Sequence, residues 1–181
     1  MVVLDALARL NRPDVMCVFV GSPQGRHRYV AEIEQRAAQL GVSERLRLVG
    51  QCDDMPAAFC LADIVIHAST KPEAFGRVVI EAQAMGRLVI AADLGGPVET
   101  VEHSVTGWRI RPGDPDALAS AIDRALALSP EARRIMGEQA RAAVLRGATT
   151  KRMQEATLDV YATILRRDGL TFPARPQLVG S

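Results

Sequence analysis

Apolar residues in this chain follow two alternating rhythms. Short continuous apolar runs are each cut off by a glycine or a polar residue. Val15–Val20 stops at Gly21 and Leu46–Val49 at Gly50, and Asp63–His67, Leu88–Ala91 and Gly107–Ile110 have the same character. Such runs, rich in Val and Ile, predict strands buried on both faces. Between them the apolar positions recur at helical spacing. This predicts helices over Gly25–Leu40, closed by Gly41, over Asp53–Cys60, over Gly76–Met85, closed by Gly86, and over Pro97–Val101. Asp114–Leu128, Pro130–Leu145 and Lys151–Arg167 follow as successive helices. Strand alternating with helix predicts an α/β fold, a parallel sheet with helices on both faces.

The two ends of the pattern are unusual. Met1–Leu10 opens directly as an amphipathic helix, with Val3, Leu4, Leu7 and Leu10 on one stripe. Domains of this pattern usually open on a strand, so we expect a chain that begins mid-domain and lacks its first strand. Residues 1–167 are expected to form one domain and 168–181 a flexible C-terminal tail, because Pro173, Pro176 and Gly180 interrupt it. The face Leu158, Tyr161 and Leu165 of the last helix needs a surface to pack on. Its own domain is the expected one, with a partner domain as the alternative.

Composition narrows the function classes. At 181 residues the chain can bury roughly 70% of its unfolded surface as a single domain. The formal charge is +1, so no global field draws it to nucleic acid or anionic lipid. No apolar run approaches the ~20 residues of a spanning helix, and no basic amphipathic helix is present. Membrane association is otherwise undecided by this half. Cys17, Cys52 and Cys60 have no metal-like spacing. They fit a reduced, cytoplasmic setting, with Cys17 and Cys60 expected to be buried and apolar.

Ligands of open parallel sheets bind beyond the carboxyl ends of the strands. After the third strand runs His67-Ala-Ser-Thr-Lys-Pro-Glu-Ala-Phe-Gly-Arg-Val-Val-Ile-Glu81. A helix starting near Gly76 presents free amides and a positive dipole end, a seat for a phosphate or diphosphate. Glu73 precedes that seat. Glu81 lies about 7–8 Å along the helix axis at ~1.5 Å per residue. Each carboxylate can accept two hydrogen bonds from a vicinal diol. One carboxylate on each side of an anion seat suits a nucleotide-sugar. The same spacing equally fits a dipole-complementing Glu73 and a solvated Glu81.

The motifs in their order resolve that choice. Lys71-Pro-Glu-Ala-Phe-Gly-Arg-Val-Val-Ile-Glu-Ala-Gln-Ala-Met-Gly86 resembles the Glu-x7-Glu signature of retaining GT-B glycosyltransferases, and more narrowly the glycosyltransferase group 1 family. Gly95-Gly96-Pro97-Val98-Glu99 resembles that family's Gly-Gly-x-x-Glu segment. Thr106-Gly107-Trp108 and Arg111–Leu118 resemble its next strand and helix start, and Val18–Gly21 and Leu48–Gly50 its earlier strands. The resemblance spans about residues 1–165. It implies the Rossmann-like C-terminal half of a GT-B fold, with an acceptor-binding N-terminal domain elsewhere.

The resemblance also implies roles. Glu73, the catalytic candidate, would contact hydroxyls of the donor sugar, and Glu81 would hold the ribose diol. Backbone amides around Ala74, Phe75, Gly76 and Arg77 would face the diphosphate and sugar. The base would lie near Gly50 and Gln51, and Ser69 and Thr70 would stand on the same rim. The implied reaction moves a hexosyl group from a nucleoside diphosphate sugar to an acceptor hydroxyl with retention, as in polysaccharide biosynthesis. It uses no cofactor and no metal. The family's diphosphate-clamping Arg and Lys belong to a segment not found here, and neither Lys71 nor Arg77 takes that role. The fragment alone is therefore expected to be inactive.

Two other readings stay open: a nucleotide-sugar epimerase of the same fold, and a non-catalytic nucleotide-binding or interaction module. Asp114-Pro-Asp116 has metal-like spacing, but a helix cap followed by a first-turn proline is the expected role, and Asp53-Asp54 reads the same way. His67 is a candidate for donor or acceptor contact at the sheet's ligand edge. His27 and His103 are expected at the surface and Trp108 in the core.

Overall fold

The computed structural model describes residues 1–167, so the tail expected over 168–181 lies outside the described residues. The element order is α1 (Val2–Arg9), β1 (Cys17–Val20), α2 (His27–Gln39), a 3-10 turn (Ser43–Arg45), β2 (Leu46–Gly50), α3 (Met55–Leu61) and β3 (Ile64–His67). It continues with α4 (Arg77–Ala84), β4 (Leu88–Ala92), α5 (Pro97–Thr100), β5 (Trp108–Ile110), α6 (Pro115–Leu126), α7 (Pro130–Gly147) and α8 (Thr150–Arg167). Every strand expected from the sequence is present, and all pairings are parallel.

The strands divide into two sheets, β1-β2 and β3-β4-β5. One core nonetheless runs through both. Leu4 and Leu7 of α1 and Leu10 just after it, Ile33 and Ala37 of α2, and Leu118, Ala121 and Ile122 of α6 enclose Leu88, Ile90 and Trp108. Cys17 and Phe19 of β1 and Ile64 and Ile66 of β3 pack against the same cluster. β4 is buried along its whole length, as a central strand covered on both faces must be. Val65, Val79, Ala82, Val89 and Val101 form a second cluster on the opposite face of β3-β4.

Coverage of both faces fails at β1-β2. Val18 and Val20 are 52% and 39% exposed, so one face of this small sheet is open. The last helix is covered only in part: α8 has no fully buried residue, Leu158 and Leu165 of its stripe are half-buried, and Tyr161 is exposed.

Helix ends follow local chemistry. Asp114 accepts from the amides of Asp116 and Ala117 at 3.1 and 2.9 Å, and Pro115 begins α6. Asp54 accepts from the Ala57 amide at 3.0 Å and starts α3. These carboxylates satisfy otherwise orphaned amides, which accounts for their spacing. The α3 start corrects the reading of Cys60. With the helix phase set at Met55, the inward positions are Met55 and Phe59, and Cys60 falls on the exposed side.

Candidate donor site

The site is built outward from β3. Its last residue, His67, is in register with Ala91 of the buried β4, so its backbone is held by the most protected strand. The loop after it is shaped by Ser69, whose hydroxyl donates to the Lys71 carbonyl at 2.7 Å and accepts from the Lys71 amide at 3.4 Å. Ser69 therefore has a local structural task. Thr70 is exposed on the rim, next to the turn at Gly113.

Gly76 precedes α4 with φ +74°, a left-handed conformation that glycine adopts without steric cost. A Cβ there would also stand 3.0 Å from Oε1 of Glu73 and 3.2 Å from the Pro97 ring. Gly76 itself offers no side chain to the helix start. Among the described residues no acceptor is found for the amides of Ala74, Phe75, Gly76, Arg77 and Val78. This row of donors opens the helix where its dipole is positive.

Glu73 is fixed by two contacts. Its carbonyl accepts from the Gly96 amide at 2.9 Å. Its Oε1 lies 3.0 Å from Nε2 of His67, whose side chain is 11% exposed against 40% for Glu73. The pair is an ion-pair contact by distance, and the imidazole is the nearest polar group that the described residues offer to this carboxylate oxygen. The other ring nitrogen, Nδ1, is buried without a partner among the described residues. The sequence placed His67 at the ligand edge but did not pair it with Glu73. A histidine six residues before a glutamate is no signal until the loop's path is known.

Glu81 lies in α4, one turn along the helix from Arg77. Its Oε1 is 2.9 Å from Nη2 of Arg77 in an exposed i,i+4 pair. Such pairs contribute only about 0.2–0.5 kcal/mol, so a pair of ligand hydroxyls can displace the arginine. Lys71 is exposed. Gly50 ends β2, where its carbonyl accepts from the Gly21 amide at 2.7 Å, and Gln51 reaches Asp53 at 3.5 Å. The contacts of this pair run to their own loop and to β1, and those of Glu73 run to His67 and Gly96.

Sequence reasoning also missed the brace behind the site. Gln83 is fully buried, and its Nε2 reaches the carbonyls of Thr100 and Thr106 at 3.3 and 3.2 Å. The Thr106 hydroxyl in turn accepts from the Glu102 amide at 2.9 Å. This network ties α4 to the end of α5 and to the turn that follows it, holding the helix that carries Glu81. Trp108 is buried as expected, and His27 and His103 are exposed.

A parallel α/β domain with an open helix start beside its third strand, two carboxylates flanking that start, and a Gly-Gly segment beneath it defines the class: a glycosyltransferase domain of the GT-B type. Comparison with known proteins agrees. Residues 1–143 match the family "Glycosyl transferases group 1", and the chain belongs to that family. It is 34% identical over 169 residues to a D-inositol 3-phosphate glycosyltransferase of Jonesia denitrificans, covering 90% of this chain and 37% of that protein. A solved glycosyltransferase of Rickettsia africae superposes with TM-score 0.86 at 33% identity, covering 91% of this chain and 44% of that one. Anabaena Alr3699/HepE, solved in complex with UDP-glucose, superposes with TM-score 0.81 at 33% identity, over 88% of this chain and 44% of that one. The chain thus spans less than half the length of these relatives.

Proposed function

We propose that this chain is the donor-binding domain of a retaining hexosyltransferase that uses a nucleoside diphosphate sugar. The observation that carries the reading is the row of free amides at residues 74–78, flanked by the carboxylates of Glu73 and Glu81. The amides and the helix dipole would take the diphosphate. Glu73 would accept hydrogen bonds from the donor sugar's hydroxyls, and Glu81 from the ribose diol. Gly50 and Gln51 would border the base, with Ser69 and Thr70 on the rim. The UDP-glucose complex of the Anabaena relative supports a uridine donor as the first candidate.

In the reaction the bond from the sugar's anomeric carbon to the diphosphate oxygen breaks, and its electron pair leaves with the diphosphate. The acceptor oxygen bonds to the anomeric carbon on the face from which the diphosphate departs, and the acceptor hydroxyl's proton passes to the departing diphosphate oxygen. The amide row stabilises the negative charge that grows on the leaving diphosphate, where oriented donors count most. No step in this scheme calls for a metal or a cofactor. The partial coverage of the relatives supports assigning the acceptor site to a second domain, and turnover with it. The open strands at β1 and β3 support a further point. In the doubly wound order 3-2-1-4-5-6, the observed 2-1 and 3-4-5 groups correspond to the pattern with its central strand taken out. The free cysteines support a reduced, cytoplasmic setting. Among the described residues no helix is long and apolar enough to cross a membrane. Calorimetric titration with UDP, GDP and ADP tests the site, with Glu81→Ala as the control that must weaken binding.

A further inference from the structure

We propose that His67 is a positioning residue that sets the orientation of the Glu73 carboxylate, leaving Oε2 as the oxygen that meets the donor sugar. The inference rests on the reading of Glu73 as the sugar-facing carboxylate. Glu73 sits on a loop and is substantially exposed, so its side chain would otherwise sample several rotamers. Two groups remove that freedom. The Gly96 amide at 2.9 Å holds the backbone. Nε2 of His67, 3.0 Å from Oε1, holds the side chain.

His67 suits this task because it is itself immobile. It is the last residue of β3, paired in register with Ala91 of fully buried β4, and its side chain is almost wholly enclosed. No described residue partners Nδ1, so within the described domain the imidazole's polar contact is with Glu73 alone. Gly76 keeps the arrangement open, since its hydrogen lies where a Cβ would stand 3.0 Å from the same Oε1. Oε2 of Glu73 has no protein partner among the described residues. One carboxylate oxygen is therefore held and the other presented. Pre-fixing an acceptor in this way favours bound sugar by avoiding an ordering cost at the moment of binding.

The test uses UDP and UDP-glucose as probes in calorimetry, with nitrogen-15 spectra of the histidine ring. His67→Phe keeps the ring's shape and removes the nitrogens. His67→Gln restores an N–H near Nε2. The affinity of UDP-glucose relative to UDP should fall about ten-fold in His67→Phe, the size of one lost charge-assisted contact, and recover most of that in His67→Gln. UDP alone should bind all three proteins alike. The His67 ring nitrogens should shift in Glu73→Gln and not in Glu81→Gln, a readout that needs no His67 variant to fold. Ring signals unmoved by Glu73→Gln would overturn the proposal. So would a His67→Phe protein with an unchanged ratio beside a Glu73→Gln protein with a lowered one. A loss that His67→Gln does not restore marks a packing effect and overturns it equally. If Glu73→Gln leaves the ratio unchanged while UDP still binds, the sugar-facing reading of Glu73 itself falls, and the positioning role with it.

Discussion

Gly96 donates its amide to the carbonyl of Glu73 at 2.9 Å, and the space where its Cβ would stand is already filled by the backbone of Phe75, 2.4 Å away. The Gly-Gly segment is thus the floor on which the Glu73 loop lies. Two motifs far apart in sequence form one structural unit, and the glycines are required because backbone meets backbone there.

From this contact we predict that Gly96→Ala displaces the Glu73 loop. Overpacking of this kind costs about 1–3 kcal/mol. Nucleoside diphosphate affinity should fall at least about ten-fold. Calorimetry and a thermal melt on the same protein check both consequences.

The brace behind α4 should be measurable as stability. Gln83→Leu removes the donor to the Thr100 and Thr106 carbonyls inside the core. Leaving buried acceptors unpaired costs about 1–3 kcal/mol each. Urea unfolding should show a lowered midpoint and an unfolding free energy reduced by an amount of this order. An unchanged midpoint would mean that another donor replaces the amide.

Burial pushes the Cys17 thiol up to about 11, whereas Cys60 is exposed. At about pH 8 the thiolate fraction at Cys17 is on the order of one in a thousand. Alkylation followed by mass spectrometry should label Cys60 quickly and Cys17 only after unfolding. The sign for stability follows from the same shift. The folded state keeps its proton at Cys17 where the unfolded chain, near pKa ~8.5, has lost it. Stability should therefore decline as pH rises from about 8.5 toward about 11, and a Cys17→Ala variant should lose that part of the slope.

Backbone protection should be uneven. β4 is paired on both sides and buried throughout, whereas β1 and β2 form a two-stranded sheet with Val18 and Val49 more than half exposed. Hydrogen exchange should be slowest in Leu88–Ala92 and markedly faster in β1 and β2. Equal protection in all strands would contradict the split sheet.

Much of this architecture was legible in the sequence, and the exceptions have a common cause. Strands such as Leu88–Ala92 announce themselves because each is a closed apolar run, and Asp114 announces its helix because a cap acts on its immediate neighbours. Glu73, Gly76 and Glu81 were legible as a local pattern around one helix start. The split between β1 and β3, the open face of Val18 and Val20, the partial cover of α8 and the exposed Cys60 all depend on what lies opposite a residue rather than beside it. The contacts of His67 with Glu73 and of Gln83 with Thr106 are of the same kind. No periodicity encodes them.

The central claim is that the amide row at residues 74–78, between Glu73 and Glu81, binds the diphosphate of a nucleotide donor. Titration of UDP, GDP and ADP into the protein and into its Glu81→Ala variant tests it most directly. The account predicts saturable binding of at least one nucleoside diphosphate, weakened about ten-fold or more when the ribose-facing carboxylate is removed. Absence of binding by all three nucleotides, or binding that Glu81→Ala leaves unchanged, would contradict it.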